Sequence, residues 1–399
     1  MEFGRRGPRI SFLIATFNRR EVLLRTLGEI ELCGLAVADF EILVVDNASS
    51  DGTADAVMDQ FPGVKLLRLP TNRGPCAKNV GLAAARGEFV VFLDDDSFPM
   101  PGSVQRMIGD FVRDDSLGAA VFTITLPDGS RECSAYPDVC IGCGTGFRRS
   151  ALMAVGGLPD DFFMAAEEYD LSLRLIGAGW RVTPFDDLHV RHLKTPGSRF
   201  PSRIARLDAR NNVLLAMRYF PEPWRMKYVS AWLERYRMMA KANGTRAAYW
   251  MGAAQGIARG IGQESRPIGI EAFEQFARVR ETRQRMQNEA RSRGLRRILF
   301  VDVGKNFIAY QEAARDCGLE VVGVADAKLG GRGFVYRGVP VITDDEAIAK
   351  QFDAAIVSNL SPVHAALRKS QWQSRLGSGR AILDLFGAAE TILPAARAA

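Results

Sequence analysis

Short, uninterrupted apolar runs punctuate the first hundred residues, and the segments between them carry apolar side chains at helical spacing. RISFLIAT, FEILVVD, VKLLRL and EFVVFLD predict strands buried on both faces, because a strand with one wet face would alternate apolar and polar residues. Strand, helix and strand in repetition predict a parallel sheet covered by helices, hence an α/β fold. Ligands of such sheets bind beyond the carboxyl ends of the strands. There the sequence turns polar: Thr16, Asn18 and Arg19 after the first strand, Asp46, Asn47, Ser49 and Asp51 after the second, Asn72, Arg73 and Gly74 after the third, and Asp94 to Ser97 after the fourth.

The pattern loosens between about 100 and 220, where a glycine-rich loop (IGCGTGFRR), an acidic helix start (AAEEYDLSLRLIGAGW) and a strand-like segment ending LHVRH follow one another. Arg199 to Phe220 predicts a basic helix stopped by PEP, and helices are expected from Trp224 to about 294. Trp224, Tyr228, Trp232 and Tyr236 recur every fourth residue, which aligns them on one helical stripe. Such a stripe is expected in the core; contact with a membrane surface is the alternative. From Arg296 the strand pattern returns in RRILFVDVG, LEVVGVAD and FDAAIVSN, predicting a second, smaller doubly wound domain. The chain therefore divides into a first sheet domain over 8–220, a helical, basic and aromatic segment over 221–294, and a Rossmann-like domain over 295–399.

Composition narrows the class. With 399 residues the chain exceeds one ordinary core, and 47% hydrophobic with 25% charged residues is the balance of a globular protein. No apolar run approaches the roughly 20 residues of a membrane span and no signal-type cleavage pattern follows the basic start, so a cytoplasmic protein is expected, with peripheral contact at the inner membrane face as a further option. Six scattered cysteines predict reduced thiols; Cys140 and Cys143 form a CxxC without a nearby fourth cysteine, and small buried residues are the expected reading. Eight arginines and two glutamates between Arg278 and Arg297 form either a solvated helical face or a surface for phosphates or anionic headgroups; nucleic acid is not expected as a partner.

The chemistry sits in two acidic clusters. Asp94, Asp95 and Asp96 end a buried strand, where like charges raise one another's pKa and a divalent cation relieves the repulsion. Mg²⁺ or Mn²⁺ favours carboxylates, water and substrate phosphates, so this run suits a metal bridging a nucleotide diphosphate. Glu167, Glu168 and Asp170 open an amphipathic helix; alone they would be dipole-favoured capping residues, but beside a metal site they offer a carboxylate able to take a hydroxyl proton.

FLIATFNR, VVDNASSDGT, NRGPCAKNVGLAAARGEFVVFLDDDS and EEYDLSLRLIGAGWRV, in this order, resemble the motifs of glycosyltransferase family 2, inverting enzymes of GT-A fold, over about residues 8 to 220. The resemblance implies transfer of a hexosyl or deoxyhexosyl unit from a nucleoside-diphosphate sugar to an acceptor hydroxyl in polysaccharide, glycolipid or other glycoconjugate assembly. It places Thr16, Asn18 and Arg19 beside the nucleoside, Asp46 on the base with Asp51 in the same loop, and Asn72, Gly74, Lys78 and Asn79 along the ribose and diphosphate. Asp94 would face the ribose or sugar with Asp95 next to it, and Asp96, with Asp94, would ligate the metal. Glu168 falls at the catalytic-base position, with Glu167 as the fallback. His192, rather than His189, is the candidate third metal ligand, and Arg210, with Arg203 or Arg199, would neutralise the departing diphosphate. UDP is mildly favoured over GDP or dTDP, and loops around 126–147 and 192–205 would set donor and acceptor.

The C-terminal region loosely resembles small Rossmann-type domains beside sugar-modifying enzymes: Gly304 occupies a phosphate-loop position and Asp326 lies 22 residues on, but the later glycines of GxGxxG are missing. Nucleotide binding, docking and homo-oligomerisation are its open roles. The rival whole-chain readings are a nucleotidyltransferase, a catalytically retired nucleotide-sugar-binding scaffold, and an NAD(P)-dependent oxidoreductase centred on this last domain.

Overall fold

The computed structural model describes residues 7–195, 200–376 and 380–387, which fall into two compact units. One comprises the residues up to Tyr236 together with Asn243–Phe273; the other comprises Arg237–Ala242 and the described residues from Glu274 onward.

The strands of the first unit are β1 (Ile10–Thr16), β2 (Phe40–Asp46), β3 (Lys65–Arg68), β4 (Phe89–Asp94), β5 (Ser97–Pro99), β6 (Leu117–Thr125), β7 (Arg131–Glu132), β8 (Thr145–Arg148) and β9 (Arg181–His192). They form one sheet in the order β3-β2-β1-β4-β8-β6-β9-β5, with β7 paired to β6. The four strands expected from apolar runs are β1 to β4, and they are parallel. Beyond β4 the sheet is mixed, because β8 pairs antiparallel with both β4 and β6. Its sequence, TGFR, hides this role: Gly146 is needed because a Cβ there would stand 2.0 Å from Met107 Sδ.

Both faces of this sheet are covered, which explains the continuous apolar runs. Ile10, Phe12 and Ile14 of β1 point into a core with Leu23, Leu27 and Ile30 of α1 (Arg20–Glu31) and Val57 of α2 (Thr53–Gln60). Leu13, between them, points the other way, into a core with Leu82 of α3 (Lys78–Ala84). Strand alternation thus divides one apolar string between two cores. α4 (Ser103–Arg113) covers the first face through Val104, Met107 and Phe111, while α5 (Arg149–Val155) and α6 (Glu167–Gly177) cover the second through Leu152, Leu171 and Leu175.

Three long helices follow: α7 (Pro201–Tyr219), α8 (Trp224–Ala242) and α9 (Arg246–Gly262), with the short α10 (Ile270–Phe276) after them. Trp224, Tyr228, Trp232 and Tyr236 are buried, as a core stripe should be, and Phe220 and Phe273 complete the cluster with edge-on contacts to Tyr228 at 5.2 and 5.5 Å. α9 lies close on α7: a Cβ on Gly252 would stand 2.1 Å from Arg206 O, and one on Gly256 2.9 Å from Arg210 O.

The second unit contains α11 (Val279–Arg293), β10 (Arg297–Val301), α12 (Phe307–Asp316), β11 (Glu320–Ala325), β12 (Phe334–Tyr336), β13 (Val339–Ile342), α13 (Asp344–Ile348), β14 (Ala354–Val357), α14 (Pro362–Leu376) and β15 (Ala381–Leu383). Its sheet runs β12-β13-β11-β10-β14-β15 and is parallel apart from β12, the doubly wound pattern expected from the sequence. Gly304 is required there by close packing, since a Cβ would stand 2.2 Å from Ser358 O. Asp326 accepts hydrogen bonds from the backbone amides of Val303, Lys328 and Leu329, so its carboxylate closes the turn after β11.

Candidate functional site

The polar strand ends converge in the first unit. β4 passes through Asp95 and Asp96 directly into β5, and β5 pairs with β9 in a register that sets Ser97 opposite His192. Leu193 N donates to Asp96 O at 2.8 Å, so the acidic run and the histidine are joined through backbone before any side chain is considered.

Each aspartate of the run has its own surroundings. Asp94, the most open, accepts from Lys78 Nζ at 3.0 Å, and this buried ammonium also donates to Gly142 O at 2.8 Å. Asp95 is buried, accepts a hydrogen bond from Thr16 Oγ1 at 2.9 Å and is ion-paired with Arg19, whose Nε lies 2.8 Å away. Burial outweighs these partners and lifts its pKa to about 7. Asp96 faces the His192 ring, with Nε2 3.2 Å from Oδ1, while Arg19 and the Thr195 amide donate to Oδ2 at 2.7 and 2.8 Å. Burial opposes ionisation at Asp96 too, but the His192 bond and the other donors hold it down at about 2.

His192 is held from its other side by Glu132 Oε2, 2.8 Å from Nδ1. Burial disfavours a charged ring, yet the bonds to Asp96, Cys143 and Glu132 raise its pKa to about 12. One ligand atom each from Asp94, Cys143 and His192 lies within 4.8 Å of the others. Donors about 2.1 Å from one octahedral ion stand about 3 Å apart when adjacent, close to the His192–Asp96 separation. A carboxylate behind the distal ring nitrogen is the usual support for a metal-binding histidine. The donor set fits a divalent cation.

The second acidic cluster reaches the same place. A small cavity is lined by Lys78, Asp94, Gly142, Glu167 and Glu168 among others. Glu168 Oε1 accepts from Gly142 N at 2.5 Å, and burial raises its pKa. Glu167 is buried with Oε2 lacking a hydrogen-bond partner, and burial together with Glu168 pushes it up to about 8. Asp170 is turned away and pairs with Arg174 at 2.5 Å. α6 also secures the loop opposite: Tyr169 hydroxyl meets Ser134 Oγ at 2.9 Å and accepts from Ala135 N, and Cys140 N donates to Ser172 Oγ at 2.9 Å.

The other sequence candidates occupy the surrounding loops. Asn18, in the left-handed region at φ 52, accepts from Ser50 N at 2.7 Å, and its own amide donates to Ser49. Asp46 accepts from Ser49 N at 3.2 Å, and Asp51 caps the start of α2 through Thr53 N at 3.0 Å. Asn72 Oδ1 receives Gly74 N at 2.7 Å; Gly74 has φ 62, and a Cβ on it would stand 2.6 Å from Phe163 O. Asn79 is exchanged with Leu158, Nδ2 to O and N to Oδ1, both at 2.8 Å, so it is set in the wall. Arg210 is not at the acidic run: buried, it donates to the carbonyls of Asp161 and Phe162 at 3.1 and 2.8 Å. Asn211 beside it donates to Phe162, Met164 and Ala165 carbonyls, and the pair thereby holds a loop in which Phe163, Ala165 and Ala166 all have positive φ. Arg203 is exposed over the Phe200 ring at 5.2 Å, and Arg199 lies outside the described residues.

Glu132, Gly142 and Cys143 belong to the site but were not singled out for it in the sequence. The glycine-rich loop and CxxC spacing marked the last two; nothing local marks Glu132, which arrives through a two-residue strand.

Residues 11–136, which contain β1 to β4 and the acidic run, match the family described as glycosyl transferase family 2. Residues 11–136 belong to that family. The family 2 domain is 36% identical over 119 residues to the succinoglycan biosynthesis protein ExoO of Rhizobium meliloti, covering 29% of this chain and 32% of that protein. The pre-mycofactocin glycosyltransferase of Mycobacterium tuberculosis is 31% identical over 172 residues, 35% of each chain. The matches thus span about a third of the length of these curated relatives. Among solved structures, S. aureus TarS 1–349 in complex with UDP-GlcNAc superposes with a TM-score of 0.50 at 15% identity, covering 86% of this chain and 98% of that one. That likeness shows the fold, the GT-A arrangement of a parallel half-sheet continued by a mixed half.

Proposed function

We propose that the protein is a metal-dependent inverting glycosyltransferase that moves a sugar from a nucleoside-diphosphate donor to an acceptor hydroxyl. The observation that supports this most is the shared cavity: carboxylates from two distant segments, Asp94 and Glu167–Glu168, face one space beside the Asp96–His192 cluster.

Asp96 and His192, with Asp94 turned from Lys78, would hold Mn²⁺ or Mg²⁺, which supplies charge neutralisation for a diphosphate leaving group. The chain's own residues do the rest. Glu168 takes the acceptor proton: the Gly142 amide favours its ionised form, whereas Glu167 has no comparable donor on Oε2. Lys78 stays in the cavity on Gly142 O once Asp94 turns to the metal, and Arg19 keeps Asp95 and Asp96 together by balancing their charge. Transfer in one displacement inverts the anomeric centre, since attacking oxygen and leaving phosphate occupy opposite faces. The site loops at Asn18, Asp46 and Asp51 form the nucleoside end, and UDP remains the favoured donor nucleotide.

Glu168→Gln and Asp96→Asn, assayed for sugar transfer against a panel of UDP, GDP and dTDP sugars in Mn²⁺, should each lower kcat by at least about a hundredfold. Wild-type rates in either variant would remove that residue from its role.

A further inference from the structure

The aromatic stripe of α8 is buried, but α9 carries a different apolar surface. Trp250, Met251, Ala254, Ile257, Ala258 and Ile261 are all exposed, Trp250 by 60% and Ile261 by 75%. At 100° per residue these six fall on one side of the helix, opposite the face where Gly252, Gly256 and Gly260 lie against α7. Arg246 borders the apolar side next to Ile257, the exposed Arg259 lies further round the helix past Gln255, and α9 contains no aspartate or glutamate. Among the described residues, neither arginine has an ion-pair partner.

We propose that this face of α9 docks on an anionic lipid bilayer surface, with Trp250, Ile257 and Ile261 entering the headgroup boundary and Arg246 and Arg259 meeting lipid phosphates. An apolar face edged by arginine is the composition of an interfacial helix. A second copy of the chain fits the surface less well, because the same face of a partner helix offers no aspartate or glutamate to receive the arginines. The rigid glycine contacts keep α9 fixed on α7, so the face is presented as a unit instead of folding back into the core.

The position suits an acceptor held in a membrane, a clause that rests on the transferase reading. Thr195 donates to Asp96 at the site, and α7 begins at Pro201. Six residue steps cannot span more than about 22 Å, so the start of α7 at Pro201 lies within that distance of Thr195. Parallel packing of Gly252 on Arg206 then brings the first half of α9 alongside.

The test is co-sedimentation of the full chain with vesicles of phosphatidylcholine alone or mixed with phosphatidylglycerol, alongside light scattering and donor hydrolysis in Mn²⁺. Binding to the anionic vesicles is expected, with release by salt and a blue shift in tryptophan emission that Trp250→Phe removes. Arg246→Gln with Arg259→Gln should lower partitioning about thirtyfold, from about 1 kcal/mol per basic residue. Ile257→Glu with Ile261→Glu should abolish binding and leave donor hydrolysis unchanged. Wild-type protein that ignores both vesicles, or variants that sediment like wild type, would overturn the proposal. So would a wild-type dimer that the isoleucine variant converts to a monomer. Vesicle binding without donor hydrolysis would instead count against the transferase reading alone.

Discussion

His192 stands between two carboxylates, and that placement sets how the site responds to pH. Its pKa is raised to about 12 by Asp96, Cys143 and Glu132 against the effect of burial, so without a cation the ring holds both protons. A metal at Nε2 must displace one of them. Apparent Mn²⁺ affinity should therefore strengthen by about tenfold per pH unit between pH 6 and 8, measured by titration calorimetry in buffers of differing ionisation enthalpy. Glu167 makes the opposite kind of demand. Its folded pKa, raised to about 8 by burial and Glu168, lies above the unfolded value, so its contribution to stability is complete at low pH and is lost as pH rises through 8. Glu167→Gln, which mimics the protonated form, should match wild-type Tm below about pH 4, where the unfolded carboxyl is also protonated, and exceed it increasingly up to about pH 8.

At the scale of elements, the loop before α6 depends on a side chain from another helix. Asn211 serves three carbonyls from Phe162 to Ala165, where three of the residues ahead of Glu167 have positive φ. Asn211→Ala should cost about 1–3 kcal/mol in urea unfolding by leaving buried acceptors unmet, and Asn211→Asp should be no milder because a carboxylate cannot donate. Gly252→Ala should destabilise by about 1–3 kcal/mol, since its Cβ would overlap Arg206 O at 2.1 Å and force the two helices apart, while Gly262→Ala has open space and should not. These same elements show what sequence can carry. β1 to β4 and α6 were readable because burial on two faces and an amphipathic period each leave a local signature. β8 was not, because a four-residue strand with a glycine has none, and its antiparallel pairing is decided by partners far along the chain. The acidic run and Glu168 were legible from strand ends and motif order. Glu132 was not, since its relation to His192 exists only once β7 has folded onto β6 and β6 onto β9. Arg210 was visible as a cation; its attachment to loop carbonyls was not, because backbone acceptors carry no sequence identity.

The whole molecule contains two units with cores of their own, so one two-state transition is not expected. In the second unit Arg368 is buried between Asp302 and Asp344 at 2.8 and 2.7 Å. Arg368→Ala leaves both acids without that cation and should lower the second unit's transition by about 3–5 kcal/mol in calorimetry, while the donor hydrolysis proposed for the first unit should be unchanged.

The fastening of the 132–142 segment bears on any attempt to change the specificity of the proposed transferase by directed evolution. Glu132 supports His192, Ser134 and Ala135 meet Tyr169, and the Cys140 and Gly142 amides end on Ser172 and Glu168. A randomised library across this stretch would mostly sample inactive scaffolds, and proline at 140 or 142 would be lost at once for want of an N–H. Diversity is best confined to the exposed hairpin tip, Pro127 to Ser130, whose main-chain turn is closed by its own bonds from Leu126 to Ser130 and from Gly129 to Leu126.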